Sequence, residues 1–344
     1  MPRTASDAPP FRGIPGLVWA FRFDAAGRGQ ALDVDAVDAA EPAAQPGWLW
    51  LHFNQGDARS AHSIQHLLEL PEPGRETLLA HDTHASLALE EGVAHGALLD
   101  WRHGGVDNYS RAYARCEQDT AWLRFVLAGR LLVTSRSHAL RSVEQVRRHA
   151  AAGTPFESPV ALLEAVVEDF AAAVAHAALE VDNDLDRIED RILGDNNGDE
   201  RRELALLRRQ AVHLYRPVAS QRRMLRQFEQ RNRNRDHELP AVAVQLLQRF
   251  DELDGEIVAL QARARLLHEE VAAKLTEQTN RHLHALSILT ALLMPPTLVV
   301  GAFGMNLDLP LVHGPHAFAG VMVLCAASSA IVYLMLRRMG VARL

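Results

Sequence analysis

The sequence predicts an α+β protein: an N-terminal α/β domain, a long helical stalk, and a C-terminal hairpin of two membrane-spanning helices. Three observations carry this. Short apolar stretches separated by turn residues fill the first part of the chain. Beyond Ser158 the pattern turns helical with few breaks. The C-terminal region then holds two apolar runs, 283–303 and 317–336, free of Lys, Arg, Asp and Glu. At ~1.5 Å of helix per residue, each run just crosses a hydrocarbon core of ~30 Å.

Residues 1–16 read as a flexible lead-in, and the first seven carry no apolar core of the kind a cleavable signal needs. Within 17–152 the apolar stretches 17–23, 48–53, 93–101, 121–127 and 131–135 read as strands. Gly129-Arg130 is placed for a tight hairpin turn, and helical patterns lie at 59–68, 75–80 and 140–151. Residues 153–282 form the helical domain and stalk. Ser158-Pro159 is an N-cap with a first-turn proline, and a helix runs from it to 192 or 193. A second helix spans 200 to about 233. Pro240 can open a third with no clear stop before Gly304, roughly 95 Å of helix if continuous. Val242, Leu246, Phe250, Leu253, Ile257, Leu260, Leu267, Val271 and Leu275 make a heptad-like seam along it, which predicts an oligomer.

The net charge of −7 conceals two opposed blocks. Residues 157–199 hold twelve acids against Arg187 and Arg191, and residues 201–235 hold eleven arginines against Glu203 and Glu229. Two adjacent helices with attracting faces are the simplest expectation; with its acidic neighbour and no recognition motif, the basic block does not predict nucleic acid. Cys116 and Cys325 fall in different regions and are not expected to pair. Arg337, Arg338 and Arg343 in the tail 337–344, against a loop 304–316 without Lys or Arg, put the loop outside and both termini in the cytoplasm.

Asn280, Leu283, Ser287, Thr290, Met294, Thr297 and Gly301 recur at steps of three and four and share one helical stripe. Two readings are open: the polar members face a water-filled axis, or their hydroxyls bond back to carbonyls one turn earlier. Leu289, Leu292, Leu293, Val299 and Val300 suit lipid or a neighbouring helix, and Pro295-Pro296 removes backbone hydrogen bonds within the span. Of the seventeen histidines, the close pairs are His81/His84, His62/His66 and His282/His284. Only His62/His66 would share a face if helical, and surface or packing roles are the simpler account because a zinc site needs three or four converging ligands. Asp182, Asp184, Asp186, Glu189 and Asp190 could collect divalent ions or form a solvated face. No phosphate-binding glycine loop, Gly-x-Ser-x-Gly or His-Glu-x-x-His is present, so no enzyme is predicted.

Gly304-Met305-Asn306 closing the first of two C-terminal spans resembles the CorA superfamily of divalent-cation transporters. Thr279-Asn280, Leu292-Leu293-Met294-Pro295-Pro296-Thr297 and Gly301-Ala302-Phe303-Gly304-Met305-Asn306 resemble its zinc-transporting ZntB branch. So do His213-Leu214-Tyr215-Arg216-Pro217 and Ser220-Gln221-Arg222-Arg223-Met224, and the resemblance extends from about Val18 to the C-terminus. It implies a CorA-like funnel: a homopentamer in the bacterial inner membrane, with first spans around a pore. Gly304, Met305 and Asn306 would be the selectivity motif, with a ring of Asn306 amides meeting a hydrated cation, and the stripe from Asn280 to Gly301 would line the pore. The cargo implied is Zn²⁺, with Mg²⁺, Co²⁺, Ni²⁺ and Cd²⁺ as further candidates, taken up with or without protons; no cofactor is implied. Leu309-Pro310-Leu311 lacks the glutamate of magnesium-transporting members, leaving Asp308 as an outer-mouth charge or a plain loop acid. A Mg²⁺/Co²⁺ channel and a pore-free coiled-coil scaffold are the rival readings.

Overall fold

The computed structural model describes residues 13–35, 37, 46–82, 84–103, 120–194, 200–235, 237–304 and 317–338. It divides into two units, Met1–His268 and Glu269–Leu344.

The first unit is built on a seven-stranded sheet: β1 (Leu17–Phe23), β2 (Gly29–Leu32), β3 (Trp48–Asn54), β4 (Ser86–Glu90), β5 (Val93–Trp101), β6 (Thr120–Ala128) and β7 (Leu131–Arg136). Their order is β2-β1-β3-β7-β6-β5-β4. Only β3 and β7 run parallel, and every other pairing is antiparallel. Gly129, with φ +56°, makes the β6–β7 turn that the sequence predicts there. The sequence pattern missed β2 and β4. Both are short edge strands, and only Leu89 among their residues is buried, so burial writes little signal into them.

Successive residues of β3 point to opposite faces, and Trp48 through Phe53 are buried on both. Leu49, Leu51 and Phe53 join Ile64, Leu68, Leu78, Val126 and Val133 in one core. That core is closed by α1 (Ala58–His62), a π turn (Ser63–Leu67) and α2 (Glu72–Leu79). The helix expected over 75–80 thus begins earlier, with Pro73 in its first turn. On the opposite face Trp48 stacks on Phe23 at 3.8 Å between ring centres, and its Nε1–H donates to the Phe156 carbonyl. Gly16 carries φ +82°, and a Cβ there would lie 2.3 Å from Ser60 Oγ, so no larger residue fits beneath α1.

Helices α3 (Arg141–Ala151), α4 (Pro159–Leu193), α5 (Glu200–Asn232) and α6 (Glu238–Phe303) follow. Ser158 caps α4 by accepting from the Ala161 amide at 3.0 Å, as its position predicts, and its hydroxyl donates to Glu238 at 2.9 Å. Asp100 of β5 caps α3 from across the fold. Its carboxylate accepts the amides of Ser142 and Val143, the Ser142 hydroxyl, and the Trp101 amide.

Two expectations need correction. The α6 seam does not require a second copy over its first half: Val242, Leu246, Phe250, Leu253, Ile257, Leu260 and Leu267 are already buried in this chain, with Phe250 stacked on Phe170 of α4. The helices of the acidic and basic blocks, α4 and α5, do pack together as expected, but among the described residues their charges are answered largely by α6. Arg263 of α6 binds Asp182, Asp186 and Glu189 of α4, while Arg222 of α5 binds Asp251 and Asp254 of α6. An ion pair that does join α4 to α5, Arg191–Glu203, runs opposite in sign to the expectation. The third helix carries both charges because it packs between partners that sequence adjacency does not reveal.

Two predictions follow from these pairings. Burial pushes the Asp100 carboxyl from 3.8 up to about 7, against the pull of its hydrogen bonds. An acid with a raised folded pKa stabilises the fold below its unfolded value and loses that contribution as pH rises through the folded one. Unfolding of the full chain should therefore show the wild type losing on the order of 2–4 kcal/mol relative to Asp100→Asn between about pH 4 and pH 7. A constant difference over that range would mean that Asp100 stays ionised. Arg263→Ala, which leaves three carboxylates unopposed, should cost on the order of 1–2 kcal/mol at low ionic strength and less in high salt, because the group is partly exposed and screened.

Candidate functional site

The second unit contains the C-terminal part of α6 and α7 (Ala317–Arg338), and both helices are long and apolar enough to cross a membrane. Large apolar side chains are exposed along each, among them Leu286, Leu289, Leu293, Leu298, Phe318, Val323 and Ile331. Exposure of that extent is what a lipid solvent or neighbouring spans would cover.

Asn280, Leu283, Ser287, Thr290, Met294, Thr297 and Gly301 are all exposed, as are Leu286, Leu289, Leu293, Leu298 and Val300 off the stripe. Thr290, Met294, Thr297 and Gly301 come together with Leu293, Leu298 and Ala302 along an open groove of about 650 Å³. Ala291, Leu292, Pro295, Pro296 and Val299, on the other side of the helix, are half-buried. A rotation of ~100° per residue puts Thr290 and Leu292 roughly 200° apart, so the polar stripe and the half-buried face are opposed.

The hydroxyls do bond back along the helix. Ser287, Thr290 and Thr297 donate to the carbonyls of Leu283, Leu286 and Leu293 at 2.8, 2.8 and 2.6 Å. This does not remove them from the groove. A hydroxyl that has given its proton to the backbone keeps oxygen lone pairs for an outside donor, which suits the protons of a water-clad cation.

Helix α6 stays continuous through Pro295-Pro296. Pro296 has no N–H to offer the Leu292 carbonyl, and Ser329 of α7 donates to that carbonyl at 3.3 Å. Cys325 Sγ lies 3.9 Å from the Pro296 oxygen, one helical turn along α7. Spacing on α6 could not reveal Ser329; the signal was the Ser328-Ser329 pair inside an otherwise apolar run.

The helix ends with the Gly304 amide on the Val300 carbonyl at 2.8 Å. Met305, Asn306 and Asp308 lie outside the described residues. Among the described residues no group of three or more His, Cys, Asp and Glu converges as a metal site. His84 pairs with Asp82, His282 and His284 are exposed, and Asp182, Asp186 and Glu189 are held by Arg263, which leaves that part of the acidic helix bound internally.

This architecture has known counterparts. The zinc transport protein ZntB of Yersinia pseudotuberculosis serotype O:1b (strain IP 31758) is 25% identical over 302 residues, 86% of each chain. The full-length CmaX protein superposes with a TM-score of 0.74 at 21% identity, covering 96% of this chain and 99% of its own. The CorA magnesium transporter from Methanocaldococcus jannaschii gives 0.72 at 16% identity, covering 93% and 98%. The family model described as CorA-like Mg2+ transporter protein matches residues 45–338, and the chain belongs to this family of divalent metal ion transporters.

Proposed function

We propose that this protein carries Zn²⁺ across a bacterial inner membrane, inward, as a homopentamer whose pore is lined by the exposed stripe of α6. The carrying observation is that stripe: three hydroxyls whose protons are committed to backbone carbonyls and whose oxygen lone pairs stay free, facing away from the half-buried Pro296 side of the helix. An isolated groove of this kind is open on one side; five copies around an axis would close it.

In this reading Asn306 amides ring the outer mouth and accept hydrogen bonds from the cation's water, so the ion enters without losing its first shell. Asp308 raises the local cation concentration there. Thr297, Thr290, Ser287 and Asn280 then offer oxygen in succession, and Met294 and Leu283 form apolar constrictions between them. Arg337, Arg338 and Arg343 hold the α7 end on the cytoplasmic side. Zinc is favoured over magnesium by the ZntB relative and by the loop Leu309-Pro310-Leu311, which carries no acid. The magnesium reading keeps one support, the family description itself.

Zn²⁺ uptake into proteoliposomes tests the proposal. Wild-type protein should take up Zn²⁺ in the presence of excess Mg²⁺, and Asn306→Ala should lose most of it. Suppression by Mg²⁺ would assign a magnesium channel, while equal uptake by the variant would remove the asparagine ring. A pH gradient that changes the wild-type rate would establish proton coupling.

The Ser329 contact gives an independent test of the span geometry. Ser329→Ala should destabilise the protein by roughly 0.6–1.7 kcal/mol, the range of hydrogen bonds between membrane helices. In a Pro296→Ala background, where residue 296 regains an N–H for Leu292, the same change should cost close to nothing. Unfolding in mixed micelles measures both, and equal losses in the two backgrounds would detach Ser329 from the freed carbonyl.

A further inference from the structure

His62 ends α1 and His66 follows one turn later in the π turn. Both side chains are exposed, and their rings lie 4.9 Å apart between centres at 50°. A dication bound ~2.0–2.1 Å from an imidazole nitrogen sits roughly 3.2 Å from the ring centre; two imidazoles at a near-tetrahedral angle therefore have centres about 5 Å apart. The rings already stand at that spacing.

The backbone between them is fixed. The Ser60 hydroxyl contacts the Asn54 carbonyl at 2.7 Å and the Gly16 carbonyl at 3.1 Å. Ser63 donates to the Pro15 carbonyl at 2.6 Å, and Ile64 is fully buried. The Leu68 amide closes the wide turn onto the Ser63 carbonyl at 3.2 Å. A chelating pair mounted on an anchored turn loses little freedom on binding. Wide turns of this type recur at functional sites.

We propose that His62 and His66 bind a transition-metal dication of the class Zn²⁺, Ni²⁺ or Cu²⁺ as a two-imidazole chelate on the surface of the sheet domain. Since no third His, Cys, Asp or Glu joins them among the described residues, water completes the coordination and the ion exchanges readily. Imidazole suits these ions and leaves Mg²⁺, which seeks oxygen, unbound. The site shares no residue with the α6 stripe and stands whether or not the chain carries zinc.

The test uses the full-length protein in detergent, stripped with chelator and titrated with CuCl₂, the tightest binder of the class. Paramagnetic resonance should show coupling to two imidazole nitrogens at the first equivalent per chain, and excess MgCl₂ should not displace it. His62→Ala and His66→Ala should each abolish the two-nitrogen pattern and weaken copper binding by roughly tenfold or more. Their thermal unfolding should match wild type, and His84→Ala should retain the pattern. NiCl₂ and ZnCl₂ calorimetry should follow the same ranking of variants. A wild-type signal without two imidazole nitrogens, single variants that keep wild-type binding, or displacement by MgCl₂ would overturn the assignment and leave the rings as a tilted surface pair.

Discussion

A polar group taken out of water must find a partner, and that demand organises this chain from the sheet to the spans. Asp100 stands fully buried in β5 because the first amides of α3 and the Ser142 hydroxyl converge on it. The contact ties helix to sheet at the point where α3 begins. His52 is buried on β3, separated from β5 by β7 and β6, bonded to Thr134 and stacked on Trp19. Burial, with the charge of Arg136, holds its imidazole well below the ordinary range. The two groups load the fold in opposite directions: neutral Asp100 favours it at low pH, and neutral His52 favours it at high pH.

The long helices obey the same demand with charge in place of backbone groups. One guanidinium, Arg263, answers three carboxylates of α4, while Asp251 and Asp254 of the same helix answer Arg222. Helix α6 therefore works as a two-signed splint between an acidic and a basic neighbour. Its apolar seam, from Val242 to Leu267, is buried inside the chain. Exposed apolar surface remains elsewhere, on Val258, Leu266 and Leu275 of the same helix and along the spans.

In the spans the demand is met by substitution. Pro296 withholds an N–H, and Ser329 supplies a hydroxyl from the other helix. Ser287, Thr290 and Thr297 send their protons inward to the backbone, and this leaves their oxygens turned outward. Of the two readings that spacing left open, the back-bonded one is what the hydroxyls do, and it leaves their lone pairs free, so it does not conflict with the pore-facing one.

The sequence by itself determined the elements whose signal is periodic. The two spans, the three long helices, the Ser158 cap and the five buried strands all announce themselves through apolar spacing or turn residues, because burial of one face imposes that spacing locally. The stripe from Asn280 to Gly301 is legible for the same reason, as a phase along one helix. Tertiary structure alone decided the pairings between elements distant in sequence. Edge strands β2 and β4 exist chiefly through their neighbours' backbones, with Leu89 their one buried side chain. Arg263 chooses α4, Arg222 chooses α6 and Ser329 chooses a carbonyl freed by a proline far upstream. Contacts of that kind depend on which surfaces meet in space, and no one-dimensional period encodes them.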